Sequence, residues 1–292
     1  MNKINKNKIF PFGYALAEKR WFKFLTYFII PLLFIISWSI FANYIGKPYI
    51  IPTPKGTFSL FLSPCENLLS QGSLWSNSLV SLLRVLIGFS LAIIIAIPAG
   101  LIIGGLVPLR KILEPFIEFL RPISPIAWLP FVIVIFKLTT VPEIFALGYS
   151  NTIFDQLQIG MIFIVFLGGF YPILINTLDS VMGVKENYIR LAVIQGANKK
   201  QILTKVVLPS ALPRIFTGVR EGIGMSWRVI IAAEMLPGSN AGIGYLLVYA
   251  ADMSAMNIVL ASIIIIGVIG TIFNYGMVFI SHKFLFWQGK EV

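Results

Sequence analysis

The sequence holds one cysteine, Cys65, and one histidine, His282. A single thiol excludes a disulfide framework and a cysteine metal site, and a lone imidazole near the end of the last apolar run reads as an interfacial residue rather than a ligand. With so few of these groups there is no Ser/His/Asp set, no His-Glu-x-x-His and no Cys-x-x-Cys pair. No Gly-x-x-x-x-Gly-Lys-Ser/Thr run occurs, so the chain does not itself cradle ATP in that manner. Charge is scarce too, at 12% of residues, with 12 Asp and Glu against 23 Lys and Arg. The ionisable groups within the apolar runs are too few and scattered for the proton relay of a secondary transporter, and no internal repeat stands out. An enzyme has no catalytic constellation here, and a chain-resident cofactor or metal has no donor set.

What the chain does have is apolar surface: 57% of its 292 residues are hydrophobic and mean hydropathy is +0.87. A soluble domain does not need that much, whereas a membrane protein does. Six runs are long enough to cross roughly 30 Å of hydrocarbon as helices: Phe22–Tyr44, Leu79–Val107, Pro115–Phe136, Ile159–Leu178, Leu212–Leu236 and Ala255–Ser281. They are continuous rather than alternating, which favours helices over a barrel. The expected fold is an all-α integral membrane protein with six transmembrane helices. Residues 1–21 form a polar N-terminal tail, 22–282 the membrane domain, and 283–292 a C-terminal tail. No small-residue cleavage site follows the first run, so it is expected to stay as an anchor.

The net charge of +11 raises nucleic acid as a partner, but its distribution argues for topology. With both termini inside, sixteen Lys and Arg fall on that side and three outside (Lys47, Lys55 and Lys137). The remaining four, Arg84, Arg121, Arg220 and Arg228, lie in or at the ends of spans. That asymmetry is the positive-inside pattern, and it places residues 181–211 in the cytoplasm.

The segment Asn187–Pro213 is the longest basic, amphipathic piece of the chain. Ile189, Ala192 and Val193 share one helical face. Gly196 interrupts, and Ile202, Leu203, Val206 and Val207 form a second stripe that Leu208-Pro209 is expected to end. The physical reading is two short helices joined at a turn, offering a knob to a soluble partner. An ordinary interfacial loop helix is the alternative on spacing alone.

The order Ala192, Gly196-Ala197, Ile202, Val206-Val207-Leu208-Pro209, Ala211-Leu212-Pro213 resembles the cytoplasmic coupling loop of binding-protein-dependent ABC importer permeases. That loop usually opens with Glu-Ala-Ala; here Arg190-Leu191-Ala192 stands, so only the last alanine matches. The likeness extends over roughly residues 48–281. It includes Ile51-Pro-Thr-Pro54, the small residues Gly88, Ala92, Ala96, Ala99 and Gly100, and Gly218, Gly224, Trp227 and Ala232-Ala-Glu-Met-Leu236. Arg121-Pro-Ile-Ser-Pro125 is most similar to the branch that imports nitrate, bicarbonate or cyanate, with sulfonate and taurine permeases more distant.

The resemblance implies a type I ABC importer permease fold in a bacterial inner membrane. It implies two copies around a central path, two ATP-binding subunits carrying ATP and Mg, and an extracytoplasmic binding protein. The ATPase contact falls to Arg190, Ala192, Gly196, Ala197, Lys199, Leu208 and Pro209. The path falls to Arg121, Ser124, Trp128, Glu221, Trp227, Arg228 and Glu234. Nitrate is the first expectation for cargo. Arg228 departs from the family pattern, where an apolar residue is expected; an interhelical salt bridge and attraction of an anion are its two readings, while Glu234 reads as a structural hydrogen-bonding group. Three prolines within Arg121–Pro130 are expected to kink a third helix. The Gly238–Gly244 loop lacks a lysine and reads as a gating or re-entrant loop rather than a phosphate cradle.

Overall fold

The computed structural model describes residues 20–63, 65–144 and 153–285. Nearly all of the N-terminal tail, the expected turn at Gly148–Asn151 and most of the C-terminal tail lie outside them. Among the described residues the regular structure is helical, with one isolated antiparallel bridge between Thr140 and Gln158. In chain order the helices are α1 (Arg20–Ile45), α2 (Pro54–Leu62), α3 (Leu74–Gly105), α4 (Val107–Leu120), α5 (Leu129–Phe136), α6 (Ile159–Met182) and α7 (Glu186–Ile194). Then come α8 (Lys199–Glu234), α9 (Ile243–Asp252) and α10 (Met256–Phe284).

Five of these, α1 over Phe28–Ile45, α3, α6, α8 and α10, are long and apolar enough to cross a membrane. The third expected span is different. Instead of one kinked helix over Pro115–Phe136, α4 ends at Leu120 and a 3-10 turn, Pro125–Trp128, leads into α5, with a bend of 88° between the halves. The cause is local: Pro122 and Pro125 lack the N–H groups a helix needs, and Ser124, before Pro125, takes the extended backbone (φ −62°, ψ 132°) that a following proline favours.

The bundle is built around α6, which packs against α3 on one side and α8 on the other. Apolar surface alone does not drive helices together in lipid, so close approach and dispersion must do the work. Small residues recur every fourth position of α3, at Gly88, Ala92, Ala96, Gly100 and Gly104. A Cβ on Gly88 would stand 2.6 Å from the Ile162 carbonyl oxygen, and one on Gly100 2.7 Å from Thr177 Cβ. The α8 side repeats the device at Gly218, where an added Cβ would meet Asn176 Cβ at 2.6 Å. α1 lies to one side of this core, where Trp38 Nε1 donates to the Pro52 carbonyl (3.0 Å) and its ring meets Phe58.

Two boundaries move relative to expectation. α3 starts five residues before Leu79, because Ser73 and Ser76 form a reciprocal capping box that satisfies otherwise orphaned N–H groups. The short helix α2 has Thr53 as its cap and Pro54 in its first turn. Most consequentially, Leu208-Pro209 does not stop a helix. The turn Leu203–Val207 is a π-turn, with Leu208 N–H donating to the Leu203 carbonyl. A proline ring ordinarily collides with the carbonyl four residues back; the widened turn makes room, and the helix runs on through Pro209.

Candidate functional site

Three places concentrate polar groups: a protruding turn, a stripe along α8, and a buried cluster where α3, α8 and α9 meet.

The protrusion consists of α7 and the start of α8. Its turn is closed by Gly196 N–H donating to the Val193 carbonyl (2.9 Å) and Ala197 N–H to the Ala192 carbonyl (3.0 Å), with Gly196 at φ +81°. This is the Schellman ending of a helix, whose left-handed position suits a residue without a Cβ. Asn198 and Gln201 then cap α8 reciprocally, at 2.9 and 2.8 Å. α7 buries none of its residues, and Ile194 is 81% exposed, with Leu191 and Tyr188 also open. Arg190 pairs with Glu186 on the surface at 3.0 Å. Of the residues expected to contact the ATPase, Arg190, Ala192, Gly196, Ala197 and Lys199 come together here, while Leu208 and Pro209 lie further along, inside α8. A helix with apolar residues turned outward and no core beneath it is shaped for a partner surface.

Thr217, Glu221, Met225 and Arg228 share one exposed face of α8, with Arg214 at its start. The face carries charges that hydrocarbon would penalise, so it borders protein or water. Arg214 pairs with Asp179 (3.0 Å), Glu221 accepts from Asn176 Nδ2 (3.1 Å), and Arg220 Nε donates to Asn274 Oδ1 (2.9 Å). Arg228 makes no hydrogen bond or ion pair with any described residue. Of its two readings, the interhelical salt bridge has no partner among the described residues. It lines an open cleft between α8 and α10, with Arg220, Gly224 and Asn274. Arg121, exposed and 3.4 Å from Glu118, lies on the cleft on the other side of α8, while Ser124 is exposed and Trp128 half-buried against Phe131.

Trp227 and Glu234 do not join this stripe. Trp227 is buried, donates to the Ile266 carbonyl (3.1 Å) and meets Phe273 edge-on, locking α8 to α10. Glu234 is enclosed with Arg84, both side chains at 0% exposure and 2.9 Å apart. Its carboxylate also accepts from Ser81 (2.8 Å) and Gly244 N–H (3.1 Å). Arg84 further donates to the carbonyls of Ala241 (2.9 Å) and Gln156 (2.6 Å). Asn77 accepts from Gly242 N–H (2.9 Å), and Gln158 Nε2 donates to the Gly238 carbonyl (2.9 Å). The glycine-rich loop is thus strapped down at both ends. Gly242 sits at φ +119°, where an added Cβ would land on the Glu234 carboxylate. Sequence reading missed Arg84, Ser81 and Asn77; the available signal was one cation and one acid in separate apolar runs, each a candidate counter-ion for the other.

Among the described residues no group of His, Cys, Asp and Glu could hold a metal ion. Residues 96–285 match the family described as binding-protein-dependent transport system inner membrane component. The chain is 40% identical over 259 residues to a protein of Methanocaldococcus jannaschii named as an ABC transporter permease, covering 89% of this chain and 90% of that one. It is 35% identical to the bicarbonate transport system permease CmpB of Synechococcus elongatus, over 88% and 89% of the two chains. With the nitrate import permease NrtB of Leptolyngbya laminosa it shares 33% identity over 73% of this chain and 69% of the other. The protein therefore belongs to the family of inner membrane components of binding-protein-dependent transport systems.

Proposed function

We propose that this chain is the translocation subunit of an ATP-driven importer of a small anion. It works as a pair of copies, with both termini cytoplasmic in a bacterial inner membrane. Two ATPase subunits, which hold ATP and Mg, take the α7–α8 knob in a groove, and an extracytoplasmic binding protein delivers cargo. The observation that carries this reading is the continuity of α8. One helix of 36 residues begins in the knob, passes through the π-turn, and presents Thr217, Glu221, Met225 and Arg228 along its exposed face. At 1.5 Å per residue that is about 54 Å of rod, so a displacement at one end is delivered to the polar stripe at the other. Differential contacts of the ATPases in their open and closed states then bias the bundle between inward- and outward-open forms.

Among the described residues of a single copy the stripe stays exposed. A second copy facing it encloses a path with polar walls and spares Glu221 and Arg228 contact with lipid. Arg228, with no partner among the described residues, supplies positive potential for an anion. Sequence resemblance puts nitrate first; the relatives' names, bicarbonate for one and nitrate for another, leave the individual anion open, with cyanate, sulfonates and taurine as further alternatives. Reconstituted vesicles test the reading. Uptake should require ATP, the ATPase subunits and the binding protein together. Uptake without nucleotide would assign the chain to secondary transport, and ATPase recruitment without uptake would make it a scaffold.

A further inference from the structure

The cleft beside the polar stripe carries more chemistry than an anion path requires. It has a volume of about 220 Å³ and is lined by Arg121, Tyr171, Asn176, Glu221 and Met225, among others. Arg121 comes from the break between α4 and α5, Tyr171 and Asn176 from α6, and Glu221 from α8. Among the described residues Arg121 is held only by a 3.4 Å contact to Glu118, both side chains being more than half exposed, a weak restraint that leaves its guanidinium available. One oxygen of Glu221 accepts from Asn176 Nδ2 at 3.1 Å, and no described residue donates to the other. The Tyr171 hydroxyl likewise has no hydrogen-bond partner among the described residues.

The cleft therefore offers a cation for an anionic head and, in the same small volume, a carboxylate oxygen to which no described residue donates. Nitrate has three acceptors and no hydrogen to give, so beside Glu221 it meets an unpaired like charge. Bicarbonate carries one O–H. An aminosulfonate carries an ammonium group next to its anionic end. Each carries an anionic end for Arg121 and a donor for Glu221, which line the same cleft. A bound anion takes the place of water beside Glu221, so one that brings a donor is favoured over an analogue that lacks it.

Resting on the transport reading above, we infer that this cleft binds an anion that is also a hydrogen-bond donor, such as bicarbonate or an ammonium-bearing sulfonate, in preference to nitrate. Glu221 is the residue that sets this preference, and Arg121 supplies the attraction common to all three.

Calorimetric titration of the detergent-solubilised complex of this chain with its ATPase subunits tests the inference, with sodium bicarbonate, taurine and sodium nitrate as probes. The binding protein is left out, so any selectivity belongs to the membrane subunit. Bicarbonate or taurine should bind at least about tenfold more tightly than nitrate, and which of the two binds tells the O–H donor from the ammonium donor. Glu221→Leu should erase that preference by weakening the donor-bearing anion and strengthening nitrate, while Arg121→Leu should weaken all three. Melting temperatures of both variants guard against misfolding, and Glu221→Gln, which keeps an acceptor oxygen without the charge, should retain part of the preference. Nitrate binding as tightly as the other two, an unchanged preference in a folded Glu221→Leu protein, or no binding of any probe would overturn the inference. ATP-driven uptake in vesicles is a separate measurement, so loss of this site's selectivity leaves the transport reading standing, and loss of uptake does not depend on this site.

Discussion

Replacing Arg84 by methionine removes one half of an ion pair whose partners are both at 0% exposure. Among the described residues the change leaves the enclosed Glu234 carboxylate with only Ser81 and the Gly244 N–H as donors, and it takes one donor from each of the Ala241 and Gln156 carbonyls, which keep Ser239 Oγ and the Gln158 N–H. Breaking a buried pair by deleting one member typically costs about 3–5 kcal/mol, most of it the penalty of an uncompensated charge. Removing both members, in Arg84→Met with Glu234→Leu, eliminates that penalty while keeping much of the side-chain volume. The double variant should therefore be less destabilised than the sum of the singles, with a coupling of about 1–3 kcal/mol. Unfolding followed by circular dichroism in mixed micelles measures all four proteins of the cycle. A single-variant loss below about 1 kcal/mol, or strict additivity, would refute the view that this pair holds the glycine-rich loop to α3 and α8.

Other substitutions probe the remaining sites. Gly196→Val places a β-branched residue at φ +81° with nothing within 4 Å of its Cβ, so strain of about 1–2 kcal/mol stays in the exposed turn; the bundle should fold, and ATP hydrolysis should continue with little uptake. Intact coupled uptake in that variant would refute the docking assignment. Gly88→Leu forces α3 away from the Ile162 carbonyl and should lower unfolding stability by about 1–3 kcal/mol, whereas an unchanged denaturation midpoint would contradict the packing described. Arg228→Leu removes a cation that no described residue pairs, so stability should hold while anion uptake falls; unchanged uptake with reduced stability would point instead to a salt bridge with a second copy.

Much of this was legible in the one-dimensional pattern because it depends on local physics. Continuous apolar runs give the spans, and Gly196 marks a turn because a left-handed residue is needed where one helix ends and the next begins. Gly88, Ala92, Ala96 and Gly100 announce close packing through their spacing alone. The misreadings come from places where a local rule meets its exception. Pro209 looks like a terminus until a π-turn absorbs its ring, and the prolines at 122 and 125 look like a kink although they divide the chain into two helices. Arg84 and Glu234 are separated by 150 positions, and helical periodicity carries no information about which distant charge a buried arginine will meet. For the same reason Glu221 and Arg228 share a face legibly, while the enclosure of Trp227 and Glu234 emerges only from the packing of α10 and α9 around α8.

The account turns on α8 acting as one stiff rod between the knob and the stripe. Substituting glycine at Thr204 and Lys205, both exposed, softens that rod by about 1 kcal/mol per position without touching the core. The decisive measurement is the number of anions taken up per ATP hydrolysed in vesicles holding the complete importer. A rod that transmits the stroke predicts a ratio reduced about tenfold, or roughly 1.4 kcal/mol of lost coupling, with the ATPase subunits still bound and turning over. A ratio equal to that of the unaltered protein would contradict it.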